Sequence, residues 1–208
     1  FAALHAPQMP NGILLEGIVT TLDADGALHV TPMGPIVDSA ITRLLLRPYR
    51  TSTTFANLKR TGQGVFHVTD DVELFARAAV GELQHLPKTI VATGVDGQIL
   101  ADACRWYAFR VDSIDDGSER VEIVAAVVEH GRIRDFLGFN RAKHAVIEAA
   151  ILVTRLSFLD NRAVRSELDR LSVLVEKTGS RQEHSAFAFL QTYIARHCAS
   201  GLQEEPTL

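Results

Sequence analysis

Hydrophobic positions along the chain follow two rhythms, and the change falls near residue 135. Up to that point, short runs rich in β-branched residues alternate with turn signals, which is the pattern of strands. Residues 13–22 (ILLEGIVTTL) predict a first strand, Asp25-Gly26 a tight hairpin turn, and residues 27–33 (ALHVTPM) the returning strand. Pro32 has no N–H to donate, so this strand is expected to end there or to lie at a break in the sheet, and Gly34-Pro35 repeats the interruption. Further strands are predicted over 41–47, 64–69, 101–111 and 120–130. Two short helices are inserted. One runs from Thr53 to Arg60 and is closed by Gly62. The other covers 70–83, with Asp70 expected as N-cap and Glu73 three residues on. The order predicts an α+β fold built on an antiparallel barrel with short inserted helices.

Beyond 135 the spacing turns helical. Helices are predicted over 140–156 and 162–177, the second stopping at Gly179. Ser180 with Glu183 reads as a capping box that opens a third helix ending near Gly201. Two domains are therefore expected: a barrel domain over 12–135 and a C-terminal helical subdomain over 136–201. Residues 1–11, with two prolines and an Asn-Gly, predict an unstructured lead-in, and the closing QEEPTL a frayed tail.

Composition narrows the function classes. The 208 residues fit one large domain or a domain with an added subdomain, and 47% apolar with 22% charged residues is ordinary for a globular chain. Net charge is −4, with 12 basic and 17 acidic residues in 1–135 and 9 and 8 in 136–208. No half is strongly basic and there is no Lys/Arg run, so a broad nucleic-acid surface is not expected. Cys104 and Cys198 make neither a disulfide framework nor a zinc site. The eight histidines are dispersed, with no HExxH, so no metal is assigned. No apolar stretch is long enough to span a bilayer and no signal peptide is visible, so a soluble, cytoplasmic protein is expected.

The densest chemistry lies at a predicted strand-to-helix junction. Arg47 and Arg50 flank Pro48, and Thr51, Ser52, Thr53 and Thr54 follow in a row. Two readings compete. In the first, one hydroxyl caps the helix while the other threonines and both arginines are solvated. In the second, the cluster is an anion site. A helix N-terminus exposes unpaired N–H groups, hydroxyls add donors, and charge-assisted bonds from arginine suit a dianionic phosphate. The chain has neither GxGxxG after a strand nor GxxxxGK[ST], so no dinucleotide fold or NTPase is supported. No GxSxG or Cys/His arrangement supports nucleophilic catalysis.

Several segments in order (LLEGIVTTL, HVTPMG, LRPYRTSTTFANL and GVFHVTDDVELFARAAVGE) resemble the FMN-binding split-barrel superfamily. The later FNRAKHAVIEAAILVTRL is similar to a branch of it with a helical C-terminal extension, described only as a domain of unknown function. The resemblance implies a flavin-binding split β-barrel, with FMN held between the subunits of a homodimer. It implies that Arg50, Thr51, Ser52, Thr53 and Thr54 hold the phosphate. It also implies that the ring edge rests on the backbone of Val30, Thr31, Pro32, Met33 and Gly34.

On the helix predicted over 140–156, Arg141, His144, Glu148 and Arg155 fall in one stripe at about 100° per residue, and most of the remainder is apolar. This stripe is either the one solvated side of a buried helix or a face toward a cofactor pocket, where Asn140, Arg141, His144 and Glu148 would contact substrate. Trp106 and Tyr107 alternate on a strand, so one is expected in the core. Three functions remain open. The first is an FMN-dependent oxidoreductase of unknown substrate, with NAD(P)H a candidate electron donor and no protein acid or nucleophile required. The second is a non-catalytic flavin carrier or assembly protein, and the third a phosphometabolite-binding domain.

Overall fold

The computed structural model describes residues 12–200, with side chains to residue 197. The lead-in expected over 1–11 and the tail over 203–208 lie outside the described residues. The chain divides into two compact units. One holds the residues up to Asp70 together with His85–Phe136, and the other holds Asp71–Gln84 together with the residues from Leu137 onward.

The first unit is a curled antiparallel sheet of eight strands. In chain order these are β1 (Ile13–Leu14), β2 (Gly17–Leu22), β3 (Leu28–Met33), β4 (Ile36–Val37), β5 (Arg43–Leu46) and β6 (Gln63–Val68), followed by β9 (Arg105–Asp115) and β10 (Glu122–Arg132). Between the last two groups, β7 (Thr89–Val91) and β8 (Gln98–Leu100) pair as a separate hairpin. Across the sheet the order is β1-β4-β5-β10-β9-β6-β2-β3. The register of β10 against β9 slips between Val124 and Ala125 and again between Val127 and Glu129. Such bulges bend a strand and raise its twist, and the sheet curls into an open half-barrel. Val19, Leu46, Phe66, Phe109 and Ile123 fill its inside, and Phe55 and Leu58 of helix α1 (Thr53–Thr61) join the same core. Each of these side chains contributes about 1.5–3 kcal/mol by leaving water. α1 ends where expected, on Gly62 at φ 66°, a left-handed conformation that glycine adopts without strain.

The structure departs from the sequence expectation in four places. Residues 13–22 form two strands: β1 pairs with β4, whereas β2 pairs with β3 and β6. The break leads into Gly17, where a Cβ would stand 2.3 Å from the His67 carbonyl oxygen, so only glycine lets β2 pass so close to β6. Pro32 lies inside β3, opposite Ile18, and does not end it. β3 is the edge strand, so a missing N–H on its outer side breaks no ladder bond. The hairpin β7–β8 was not anticipated. Last, the N-cap of helix α2 (Val72–Ala79) is Asp71, whose carboxylate accepts from the Leu74 amide at 3.0 Å. Asp70 is instead buried and bonded to the Arg134 guanidinium, and Glu73 pairs with Arg77 four residues on at 3.0 Å.

The second unit is helical. It comprises α2, α3 (Arg141–Val153), a single 3₁₀ turn at Leu156–Phe158, α4 (Asn161–Thr178) and α5 (Arg181–Ser200). α2 groups with the C-terminal helices because it packs on α3 and α5. Gln182 donates to Asp71 at 2.8 Å, and Arg77 lies 4.7 Å from the centre of the Phe189 ring. One half of the expected capping box is present: the Glu183 carboxylate accepts from the Ser180 amide at 2.8 Å, and the Ser180 hydroxyl donates to the same carboxylate. Glu183 is also buried and pairs with Lys143 Nζ at 2.7 Å. Burial alone would raise its carboxyl, but the bonds from Lys143 and Ser180 outweigh burial and hold it at about 2.

Candidate functional site

The corner between β5 and α1 is built by two segments distant in sequence. After β5 the chain stays paired with the turn joining β9 and β10. Val121 donates to the Pro48 carbonyl at 3.0 Å, Tyr49 bridges Arg120, and the Arg50 amide donates to Glu119 at 3.0 Å. The Ser52 amide then turns back to the Tyr49 carbonyl at 2.9 Å and α1 begins.

The four hydroxyls of this corner divide their work. Ser52 is the N-cap: its Oγ accepts from the Phe55 amide at 3.2 Å and donates to the Tyr49 carbonyl at 2.7 Å. Its single proton is thereby committed. Thr54 is buried, with Oγ1 3.2 Å from His29 Nε2 on β3. Thr51 and Thr53 are exposed. The amides of Thr53 and Thr54, which precede the first intrahelical bonds, have no partner among the described residues. Arg47 and Arg50 are exposed, and Arg50 Nη1 donates to the Asp116 carbonyl at 3.2 Å. The donors left for an anion thus include the Thr53 and Thr54 amides, the Thr51 and Thr53 hydroxyls and the guanidinium groups.

The second group of expected residues lies on β3. Val30 is buried in the sheet, whereas Thr31, Pro32, Met33 and Gly34 are half-buried. Gly34 approaches its neighbours closely, since a Cβ there would meet Leu14 Cδ2 at 2.8 Å. Among the described residues β3 pairs only with β2, so one side of its backbone stays outside the ladder. The His29–Thr54 bond joins this strand to the first turn of α1 and brings the two expected groups onto one part of the barrel. Burial lowers the His29 imidazole from its ordinary value, against a smaller opposing pull from the Asp23 carboxylate. Sequence reasoning missed His29 in this role. It also missed Arg120, whose guanidinium lies 3.7 Å from the centre of the Tyr49 ring and donates to the Arg47 carbonyl at 3.1 Å.

On α3, Asn140 is the N-cap. Its Oδ1 accepts from the Ala142 and Lys143 amides at 2.8 and 3.2 Å, and its Nδ2 donates to the Thr178 carbonyl at 3.0 Å. That helix start is satisfied by its own unit. Arg141, His144 and Glu148 are exposed, with His144 6.0 Å from the Phe139 ring.

Other notable side chains are structural. His67 is fully buried: Nε2 accepts from the Leu100 amide at 3.0 Å, so Nδ1 carries the proton and donates to the Ile18 carbonyl at 3.2 Å. Burial pushes this imidazole down to about 4. Tyr107 is in the core against Phe66, and Trp106 packs on the smaller cluster around Val65, Val95 and Ile99. Among the described residues no three His, Cys, Asp or Glu side chains are grouped to hold a metal, and no helix is long and apolar enough to cross a membrane.

Comparison with solved structures defines the class. An FMN-bound protein from Methanosarcina mazei superposes with a TM-score of 0.75 at 20% identity, over 86% of this chain and 94% of that one. The curled sheet with its C-terminal helices is a split β-barrel. A looser likeness, with a TM-score of 0.49 at 15% identity over 57% and 64% of the two chains, is to the 2-nitrobenzoate 2-nitroreductase of Pseudomonas fluorescens. The family follows from the sequence itself. Residues 15–134 match the N-terminal domain and residues 140–192 the remaining part of the family described as protein of unknown function DUF447, and the chain belongs to that family. The Methanosarcina protein is assigned to the same family. Comparison with curated proteins gives no match.

Proposed function

We propose that this chain is an FMN-binding protein and a flavin-dependent oxidoreductase, with the cofactor phosphate at the start of α1 and the ring edge along residues 30–34. The observation that carries the reading is the pair of unpartnered amides of Thr53 and Thr54, set beside the Thr51 and Thr53 hydroxyls and the Arg50 guanidinium. Positive helix-end charge, donors aimed outward and a nearby guanidinium are what a phosphate dianion requires. Support also comes from the Methanosarcina protein, a family member of the same fold that is FMN-bound.

The chain's own residues have definite tasks in this reading. Arg50 and Thr51 bind the phosphate, Ser52 fixes the first turn of α1, and His29 holds Thr54 and with it the spacing between α1 and β3. The unpaired side of β3 offers backbone groups to the polar edge of the ring. When bound, the flavin supplies the hydride chemistry, so the protein's part is anchoring, placement and exclusion of water. The family resemblance extends the reading to a homodimer.

Purified protein tests the reading through what it carries. A yellow preparation whose released small molecule has the mass of FMN is expected, and Arg50→Ala should empty it. A colourless protein that gains no thermal stability on adding FMN would refute the reading. A protein that binds FMN but neither reduces it with NADH or NADPH nor passes electrons from the chemically reduced flavin to an acceptor would leave a carrier in place of an oxidoreductase.

A further inference from the structure

The turn between β9 and β10 places a third guanidinium at the same corner. We infer that Arg120 binds the ligand's phosphate alongside Arg50, an inference that rests on the FMN reading above. Three observations carry it. First, backbone bonds alone already fasten this turn to the corner, through Val121 to Pro48 and Arg50 to Glu119, so the Arg120 side chain is not needed as a tie. Second, that side chain is nevertheless held in one pose. Its guanidinium lies on the Tyr49 ring at 3.7 Å and spends one N–H on the Arg47 carbonyl. A guanidinium has five N–H donors in a fixed fork, so four remain without a partner among the described residues. A cation fixed before the ligand arrives loses little freedom on binding.

Third, the local charge is unbalanced. Among the described residues Arg47, Arg50 and Arg120 form no ion pair. Of the acids in the turn, Asp116 is engaged by Lys59 at 2.8 Å. The hydrogen bond from Lys59 is the first cause of its lowered carboxyl, with Arg50 a minor contributor. Asp115 accepts from the Gly117 amide, and Glu119 is exposed on the same turn. Guanidinium groups gathered on neighbouring backbone without carboxylate partners repel one another, and a dianion relieves that repulsion. Bidentate geometry suits a terminal phosphate with its oxygens free.

The test compares FMN with riboflavin, which differs only in lacking the phosphate. Wild-type protein, Arg120→Ala and Arg120→Lys are titrated with both flavins by quenching of flavin fluorescence, and thermal stability is recorded for each. Arg120→Ala should lose about ten- to a hundredfold in FMN affinity, leave riboflavin affinity unchanged and melt close to wild type. Arg120→Lys keeps the charge without the fork and should fall between the two. Should Arg120→Ala fail to fold, a selective loss of FMN over riboflavin in Arg120→Lys supports the inference in its place. An unchanged FMN-to-riboflavin ratio in the folded variants overturns it, as does an equal loss for both flavins with a lowered melting temperature. Wild-type protein that binds neither flavin, or binds both equally, overturns the FMN reading and this inference together.

Discussion

His67 makes a quantitative prediction about acid stability. The side chain is fully buried and spends both ring nitrogens on backbone, joining β6 to β2 through the Ile18 carbonyl and to β8 through the Leu100 amide. A proton on Nε2 would destroy the bond from Leu100 and place an uncompensated charge inside the barrel. Its pKa is about 4 in the folded protein, against 6.5 for an ordinary histidine. Between those values the unfolded chain holds a proton that the folded chain refuses, so stability rises with pH across this window. The contribution is complete above about pH 6.5, falls as pH drops toward 4 and changes no further below that. At about 1.4 kcal/mol per unit the loss is about 3 kcal/mol, a large share of the few kcal/mol by which a domain is stable. Urea unfolding of wild type and His67→Gln at half-unit steps from pH 7.5 to 4 isolates the contribution as the difference between two slopes. His29, lowered in the same direction, is present in both proteins and cancels. Equal slopes for the two proteins between pH 6.5 and 4 would refute the reasoning, as would a His67 imidazole that titrates near 6.5 by NMR.

Three further outcomes follow from the packing. Gly17→Ala should destabilise the barrel by about 1–3 kcal/mol in chemical denaturation, because its Cβ would collide with the His67 carbonyl oxygen at 2.3 Å; an unchanged midpoint would contradict that close approach. Lys143→Met removes the cation from the buried Glu183 carboxylate and should cost about 3 kcal/mol. The Glu183 pairing is complete above the ordinary carboxylate value of 4.5 and lost as pH falls through about 2, so this variant should also raise the Glu183 pKa and shift its acid limb upward. Asp71→Ala should cost about 1 kcal/mol through loss of the α2 cap, measured by thermal unfolding, and an Asp71→Ala protein as stable as wild type would return the cap to Asp70.

Elements specified by local chemistry were legible in the sequence. Gly62 closing α1, Asn140 opening α3 and the Ser180–Glu183 pair opening α5 all act within a few residues of themselves. What escaped was specified from far along the chain. Asp70 and Asp71 are equivalent as caps by spacing, and it is contacts made far along the chain, among them Arg134 sixty-four residues away, that draw Asp70 inward. Residues 13–22 read as one strand because their apolar content is continuous, whereas the break answers to separate partners in β4 and β6. At the candidate site the hydroxyl run was visible as composition. Which hydroxyl caps, which is buried against His29 and which stays exposed depends on helix phase and on β3. Arg120 was invisible there, since it reaches Arg47 across seventy-three residues.

The proposed function requires a phosphate docked on the first turn of α1. The most direct measurement is a crystal structure of the protein grown with FMN. Phosphate oxygens are expected within hydrogen-bond distance of the Thr53 and Thr54 amides and of the Arg50 guanidinium. A flavin whose phosphate lies elsewhere, with those two amides facing water, would contradict it.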